Sequence, residues 1–475
     1  MKRILACVLA ILMLVGMAAC GDKPATTPAT TPATTPATTP ATTKPAEVKL
    51  PTFGGETLML ADAASWFTGA TLEGSNTLAA VYNVMAAISE ELDIDIQTFP
   101  VATDVYSNAQ PVLMSGDPFA DVIHDYVWTM GDFWVADLLI PMNDIPYINL
   151  EDDYWLDGAK EVTTLNGKTY GLMGEFYPAI EGAYYLFYNK NMAEDLGLPD
   201  LHQLVKDGKW TLDEFEKCLK AATKDNGDNV WNMEDTYGFC GPDGTIEQGF
   251  FVAAGGTFFE IDENGKNRIS VGDADNLALI DRLVTLLRDG GYRYDYSSGG
   301  DWGWGIQSGF PSGNFLFAAY PALGVKWYWQ EMTSDFGLIP MPKANEDQTE
   351  YYTYADHNAL MLYVPINANK EMAGAFMQSL AVHSREELAP VFWEDYEMTY
   401  LRDTESFENF QMLSTQVRFH QVTSMLGVAK GGLCSGTLIA FTGTMGTAGS
   451  SFAANYEAGI ETTRITMEEV LGYSN

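Results

Sequence analysis

A chain of 475 residues, 47% apolar and 12% aromatic, exceeds what one hydrophobic core supports and reads as two lobes or domains. Its formal charge of −38 repels phosphate backbones, which excludes general nucleic-acid binding and disfavours an anionic ligand held by bulk electrostatics. A neutral or cationic ligand is left, and five widely spaced cysteines make no disulfide framework.

The chain opens on Lys2 and Arg3, followed by the apolar run Ile4–Val15 and by Met17-Ala18-Ala19-Cys20. A basic start, an apolar core short for a membrane span and a small-residue cleavage site predict a secretory signal peptide over residues 1–19. Its end on Cys20 resembles the lipobox of bacterial lipoproteins, which implies an acylated Cys20; a simple signal peptide is the alternative, and Met17 stands where Leu is usual. Residues 24–43 are five copies of Pro-Ala-Thr-Thr. Proline at every fourth position blocks helix and sheet, so residues 20–46 read as a lipidated cysteine plus a semi-extended spacer reaching roughly 60 Å at ~3.1 Å per residue. A glycosylated stalk fits the same composition. Later in the chain, Cys218, Cys240 and Cys434 are read as buried thiols, with one bridge as the alternative.

Apolar spacing predicts a strand over Glu56–Asp62, a helix over Leu78–Leu92 and a strand over Ile94–Phe99. It then predicts a helix over Tyr106–Met114 and a short buried strand over Ala120–Ile123. This alternation is that of a parallel sheet with helices on its faces. A helix is expected over Asp132–Ile140, a hairpin around Asn166-Gly167 and an aromatic strand over Ala183–Tyr188. Trp210–Ala222 reads as a helix whose Thr211 and Glu214 form a capping box. A buried helical turn over Gln248–Ala254, a turn at Asp262–Gly265 and a helix over Asp275–Arg288 follow. Strands are expected over Phe315–Tyr320, Phe336–Ile339 and Ala359–Val364, and a helix over Lys370–Val382. The tail after Pro390 reads as helical with a Gly/Thr/Ser-rich break over Gly427–Ser451.

Several segments, in order, resemble the extracellular solute-binding proteins of ABC transporters of the maltose- and oligosaccharide-binding family. They are Ser115-Gly116-Asp117-Pro118 with Ala120-Asp121-Val122-Ile123, then Leu138–Ile148, Asn166–Gly171, Tyr188-Asn189-Lys190 and Leu196–Pro199. Gly208–Thr211 with Phe215, Ala254-Gly255-Gly256, Asp262–Gly265 and Gly337–Lys343 complete the series. Each is weak alone, and together they are specific. The resemblance implies a periplasmic-binding-protein-like type II α/β fold: two lobes joined by a hinge, with the ligand in the cleft between them. Carried onto this chain, lobe one is residues 47–177 and 356–395, and lobe two is residues 178–355 and 396–475.

Sugars are gripped by flat aromatic faces and by planar polar groups, so acidic and aromatic residues in loops at strand ends are the candidates. Asp62 and Trp66 follow the first strand, with packing of Trp66 under its loop as the alternative. Asp125, Tyr126 and Trp128 follow the Ala120–Ile123 strand, where the resemblance places ligand contacts; core positions for His124 and Trp128 are the alternative. Glu181 and Tyr184 open the first strand of lobe two, with a plain surface Glu as the alternative. Trp302 and Trp304 lie in a Gly-rich loop that suits either exposed rings or a packed surface turn. Tyr320 and Trp327 lie where the resemblance implies a ring over the ligand; there Trp327 and Trp329 would otherwise share the inner face of a strand.

Five His without metal-ligand spacing, no G-x-S-x-G elbow and no phosphate loop count against hydrolase and nucleotide chemistry, and the Asp225–Asp228 stretch lacks calcium-loop spacing. The expectation is a monomeric, non-enzymatic receptor without cofactor or metal. It sits lipid-anchored at the extracellular face of the membrane and delivers a neutral carbohydrate to ABC permease subunits. A secreted glycoside hydrolase using paired carboxylates is the alternative, separable by turnover of a chromogenic glycoside, and a stalked surface adhesin is a third reading.

Overall fold

The computed structural model describes residues 49–101, 105–177, 179–241, 245–261, 267–294, 304–356, 359–419, 435–446 and 449–471. The signal-like segment, Cys20 and the Pro-Ala-Thr-Thr spacer lie outside them, as do Cys434 and the turn at Asp262–Gly265. In chain order the strands are β1 (Glu56–Asp62), β2 (Ile94–Pro100), β3 (Val122–Tyr126), β4 (Leu139–Ile140), β5 (Thr164–Leu165), β6 (Lys168–Thr169), β7 (Tyr184–Asn189) and β8 (Tyr237–Cys240). They continue as β9 (Phe259–Ile261), β10 (Asn267–Ile269), β11 (Phe315–Pro321), β12 (Phe336–Ile339), β13 (Thr353–Tyr354), β14 (Leu360–Pro365) and β15 (Val417–Arg418).

Two sheets dominate. The first runs β2-β1-β3-β14-β4, with β1 parallel to both β2 and β3 and β14 antiparallel to β3. The second runs β15-β13-β7-β11-β8, with β12 also paired to β7. Strands β7 (YYLFYN) and β14 (LMLYVP) are buried at every position, as continuous apolar runs covered on both faces must be. The chain passes from the first sheet to the second between Leu172, which bridges Leu362, and Tyr184 at the head of β7. It returns between Tyr354 and Leu360, and passes a third time after the helix Lys370–His383. The helix Asn76–Leu92, its N-cap Ser75 accepting from the Leu78 N–H, covers the first sheet with Val81, Val84 and Ile88 buried.

Local chemistry explains the turns. Asn166 (φ 53°) and Gly167 (φ 75°) both take the left-handed region that a two-residue hairpin demands, and β5 and β6 pair antiparallel around them. Strands β9 and β10 likewise pair antiparallel on either side of the expected turn at Asp262–Gly265. No described helix is long and apolar enough to cross a membrane.

Several expectations are corrected. The strand expected over Ala120–Ile123 instead runs Val122–Tyr126; Asp121 stands just before it, its carboxylate accepting from the Met59 and Asn369 N–H groups. The helix expected over Asp132–Ile140 instead spans Val127–Val135; it starts directly after β3 and stops before Asp137, whose φ is 56°. Leu139–Ile140 then pairs with β14. Thr211 is an N-cap by position but makes no capping hydrogen bond, and Glu214 takes Lys217 instead, so the capping box is not made. Ser435–Gly446 is helical within the expected break. Val325–Trp329 is a wide helical turn rather than a strand, which separates Trp327 from Trp329. Cys218 and Cys240 are buried free thiols.

Candidate functional site

Two of the three chain passages between the sheets, the outgoing and the return, border a cavity of about 160 Å³. Tyr177 and Ala179 come from the outgoing passage, Tyr184 from the head of β7, and Ala355, Asp356 and Ala359 from the return. Trp327 stands at its edge, 59% exposed, while Trp329 two residues later is fully buried and donates its indole N–H to Ile306 O at 2.7 Å. Larger hollows exist elsewhere. One of about 550 Å³ lies beside Trp231, Tyr237 and Tyr292, and one of about 340 Å³ beside Glu161, Thr257 and Arg418. The cavity at the passages differs from these because both connecting segments and a solvent-facing indole meet there.

The aromatic wall is built from β7 and its neighbours. Tyr184 stacks on Tyr354 with centroids 6.2 Å apart, and its hydroxyl donates to Asp356 Oδ2 at 3.4 Å. Burial first, then the charge of Asp356, raises the Tyr184 hydroxyl far above the usual phenol range. Burial and then Glu181 do the same for Tyr177. Both hydroxyls therefore stay protonated and can donate. Rings, neutral hydroxyls and a carboxylate suit an uncharged polyhydroxylated ligand: C–H faces against rings, hydroxyls against donors and acceptors.

The residues singled out by sequence fall into distinct places. Asp62 is fully buried. Parallel pairing sets it opposite His124, whose Nδ1 lies 3.0 Å from Asp62 Oδ1. Asp62 Oδ2 accepts from the N–H groups of Phe67 and Thr68 and from the Thr68 hydroxyl. Burial alone pushes this carboxyl up, but the His124 hydrogen bond and charge and the Thr68 donors outweigh it and hold it below its usual value. Asp62 thus organises the loop after β1 and presents no surface to a ligand. Trp66 is half-buried; its indole N–H donates to Phe176 O at 2.8 Å and its ring meets Tyr177 edge-on at 5.3 Å. Trp66 backs the ring that lines the cavity.

Asp125 is buried and accepts from the Tyr363 hydroxyl at 3.1 Å. Tyr126 and Trp128 are half-buried and stacked, 6.2 Å apart with 15° between planes. Tyr320 is buried against Tyr328 and Trp329. Glu181 is not a free acid: Lys326 pairs with its Oε1, and the Tyr396 hydroxyl donates to the same oxygen at 2.7 Å. Trp302 and the side chain of Trp304 lie outside the described residues. Of the candidates, Tyr184 and Trp327 meet at the cavity. Tyr177 and Asp356 were missed; their signal was position alone, at the two ends of the passages flanking the expected strands.

Among the described residues one acidic group has metal-ligand spacing, Asp225, Asp228 and Asp235, with oxygens within 4.8 Å of one another. These oxygens organise their own loop: Asp225 Oδ1 accepts from Gly227 and Asn229, and both Asp235 oxygens accept from the Asn226 and Asn232 N–H groups.

Residues 74–381 match a family model described as bacterial extracellular solute-binding protein. A cyclo/maltodextrin-binding protein complexed with maltotetraose is similar in fold, with TM-score 0.60 and 15% identity over 87% of this chain and 98% of its own. The sugar-binding protein MalE from Xanthomonas citri gives TM-score 0.59 and 14% identity over 88% and 97%. The galacto-N-biose/lacto-N-biose I-binding protein of the ABC transporter from Bifidobacterium longum, in complex with lacto-N-biose, gives 0.57 and 13% over 89% and 99%. No curated protein matches the chain. At these identities the likeness to solved structures is one of fold, the periplasmic-binding-protein-like arrangement of two α/β lobes.

Proposed function

The chain belongs to the bacterial extracellular solute-binding proteins, and from that premise we propose that it captures a neutral sugar or oligosaccharide between its lobes and delivers it to an ABC permease. The observation that carries this reading is the meeting of Tyr177, Tyr184 and Trp327 with Asp356 at the outgoing and return passages between the sheets. No step of chemistry on the ligand is needed. Closure of the lobes selects a state that the permease docks. Lobe one is residues 47–177 and 356–395 and lobe two residues 178–355 and 396–475. The first sheet draws on residues 56–140 and 360–365 and the second on 184–354 and 417–418, which supports that division. Cys20 carries the lipid, the spacer holds the monomeric receptor off the membrane on its extracellular side, and the acidic surface keeps it soluble.

A melting-temperature screen of the mature protein against maltose, maltotetraose, lacto-N-biose and peptides tests the ligand class. A binder at about 100 times its dissociation constant adds ~2.7 kcal/mol of stability, and chromatography then returns it intact. Silence across sugars with a response to peptides overturns the ligand class, and a cleaved sugar overturns the receptor reading. Labelled fatty acid incorporated into the wild type but not into Cys20→Ala tests the anchor.

A further inference from the structure

Lys326 is the neighbour of the exposed cleft ring Trp327, yet its ammonium does not face the cleft. It pairs with Glu181 Oε1, and both side chains are mostly buried, 22% and 14% exposed. The same oxygen accepts from the Tyr396 hydroxyl. Around the ammonium stand three rings: Tyr396 and Tyr400 with centroids at 4.7 Å, and Phe392 at 5.9 Å. A caged, paired lysine beside a ligand-facing tryptophan is an expensive arrangement to hold without use.

Its neighbours show what it joins. Glu181 sits in the turn Ala179–Gly182, the outgoing passage between the sheets. Lys326 sits in the turn Val325–Trp329, pinned at its ends by buried Val325 and Trp329 but open at Trp327. Tyr396 and Tyr400 belong to the helical stretch that runs on from Ala389–Asp395. That stretch is fastened to the first-sheet body, because the Asp395 carboxylate accepts from Asn76 and Thr77, each at 3.1 Å. One cluster therefore gathers the hinge passage, the turn that carries the cleft ring and a helix anchored on the opposite lobe. Lys326 and Trp327 are adjacent in this one wide helical turn, so a fixed Lys326 fixes the direction in which the Trp327 side chain leaves the backbone.

We propose that Lys326 is a positioning residue: held by Glu181 inside the Tyr396, Tyr400 and Phe392 rings, it sets the Trp327 indole over the cleft and yokes that ring to the hinge. The proposal rests on the reading of this cavity as the ligand site. The cage also withholds the ammonium from the cleft, so an anionic ligand finds no ion pair at this position.

The test labels the mature protein with 5-fluorotryptophan and assigns the Trp327 resonance by its loss in Trp327→Phe. In Lys326→Met the Trp327 signal shifts and broadens while the other described tryptophans keep their positions, and in Lys326→Arg it returns to the wild-type position. A Trp327 signal unchanged in Lys326→Met, or a shift shared equally by all tryptophans, overturns the proposal. If Lys326→Met does not fold, Glu181→Gln carries the same two outcomes. Where maltotetraose binds, its dissociation constant rises about tenfold in Lys326→Met and recovers in Lys326→Arg; an unchanged constant overturns the coupling to the cleft. Failure of every sugar to bind counts against the receptor reading alone, because the fluorine measurement needs no ligand.

Discussion

Replacing Asp62 by alanine removes the acceptor on which the loop after β1 closes. Four donors then lose their partner: the N–H groups of Phe67 and Thr68 at 2.8 Å, the Thr68 hydroxyl at 3.1 Å and His124 Nδ1 at 3.0 Å. The Phe67 bond and the His124 contact are buried, so no water replaces them. An orphaned buried donor costs ~1–3 kcal/mol, which for the buried pair with part of the Thr68 contribution comes to about 4 kcal/mol. For a cooperative unit of roughly 200 residues, 1 kcal/mol moves the melting temperature about 2–4 °C, so Asp62→Ala lowers it by roughly 10 °C in calorimetry at pH 7. The deficit depends on pH. The folded-state pKa of Asp62 lies below its unfolded value, so its contribution is complete above the unfolded pKa of about 3.9 and is lost as pH falls from there through the folded value. The gap in melting temperature between wild type and Asp62→Ala therefore narrows as pH falls below about 4. A drop under 2 °C at pH 7, or a gap that stays constant down to pH 2.5, refutes the assignment of Asp62 as the organiser of this loop.

Trp327→Ala weakens the sugar found by the screen by about 1–2 kcal/mol, roughly tenfold in dissociation constant, and leaves the ligand-free melting temperature within 1 °C because the ring is exposed; calorimetric titration checks both. Gly167→Ala forces a side chain onto a φ of 75° and costs about 1 kcal/mol in a urea midpoint. Burial pushes the Cys218 thiol up to about 12, so iodoacetamide at pH 8 spares it in the folded protein and alkylates it in urea, as mass spectrometry of the peptide reads directly.

Much of the fold was legible because its central strands carry strong apolar runs: the residues of β1, β7, β11, β12 and β14 announce themselves, and the Asn166-Gly167 hairpin carries its own turn chemistry. Boundaries failed where a polar group had a remote partner. Nothing local to Asp121 says that it caps Met59 and Asn369. Val127–Val135 is rich enough in apolar residues to continue the preceding strand, and only the Val127 N–H bonding to Ala359 O and the left-handed Asp137 fix where the helix lies. The site divided in the same way. Position at a strand end brought Tyr184 and Trp327 to the cavity, but strand-end position cannot say whether a carboxylate faces solvent or a partner. Asp62 found His124 and Glu181 found Lys326, and both partners lie far away in sequence.

The order of strands in the first sheet bears on how the molecule comes to be made. Its fourth strand, β14, lies between β3 and β4 in space but leaves the ribosome long after both. Until Leu360–Pro365 arrives, β3 has an open edge and β4 has no neighbour to pair with. Closure of the first sheet therefore waits on the last part of the chain: a truncated or stalled product cannot complete its first half, and only the nearly full-length polypeptide can lock shut.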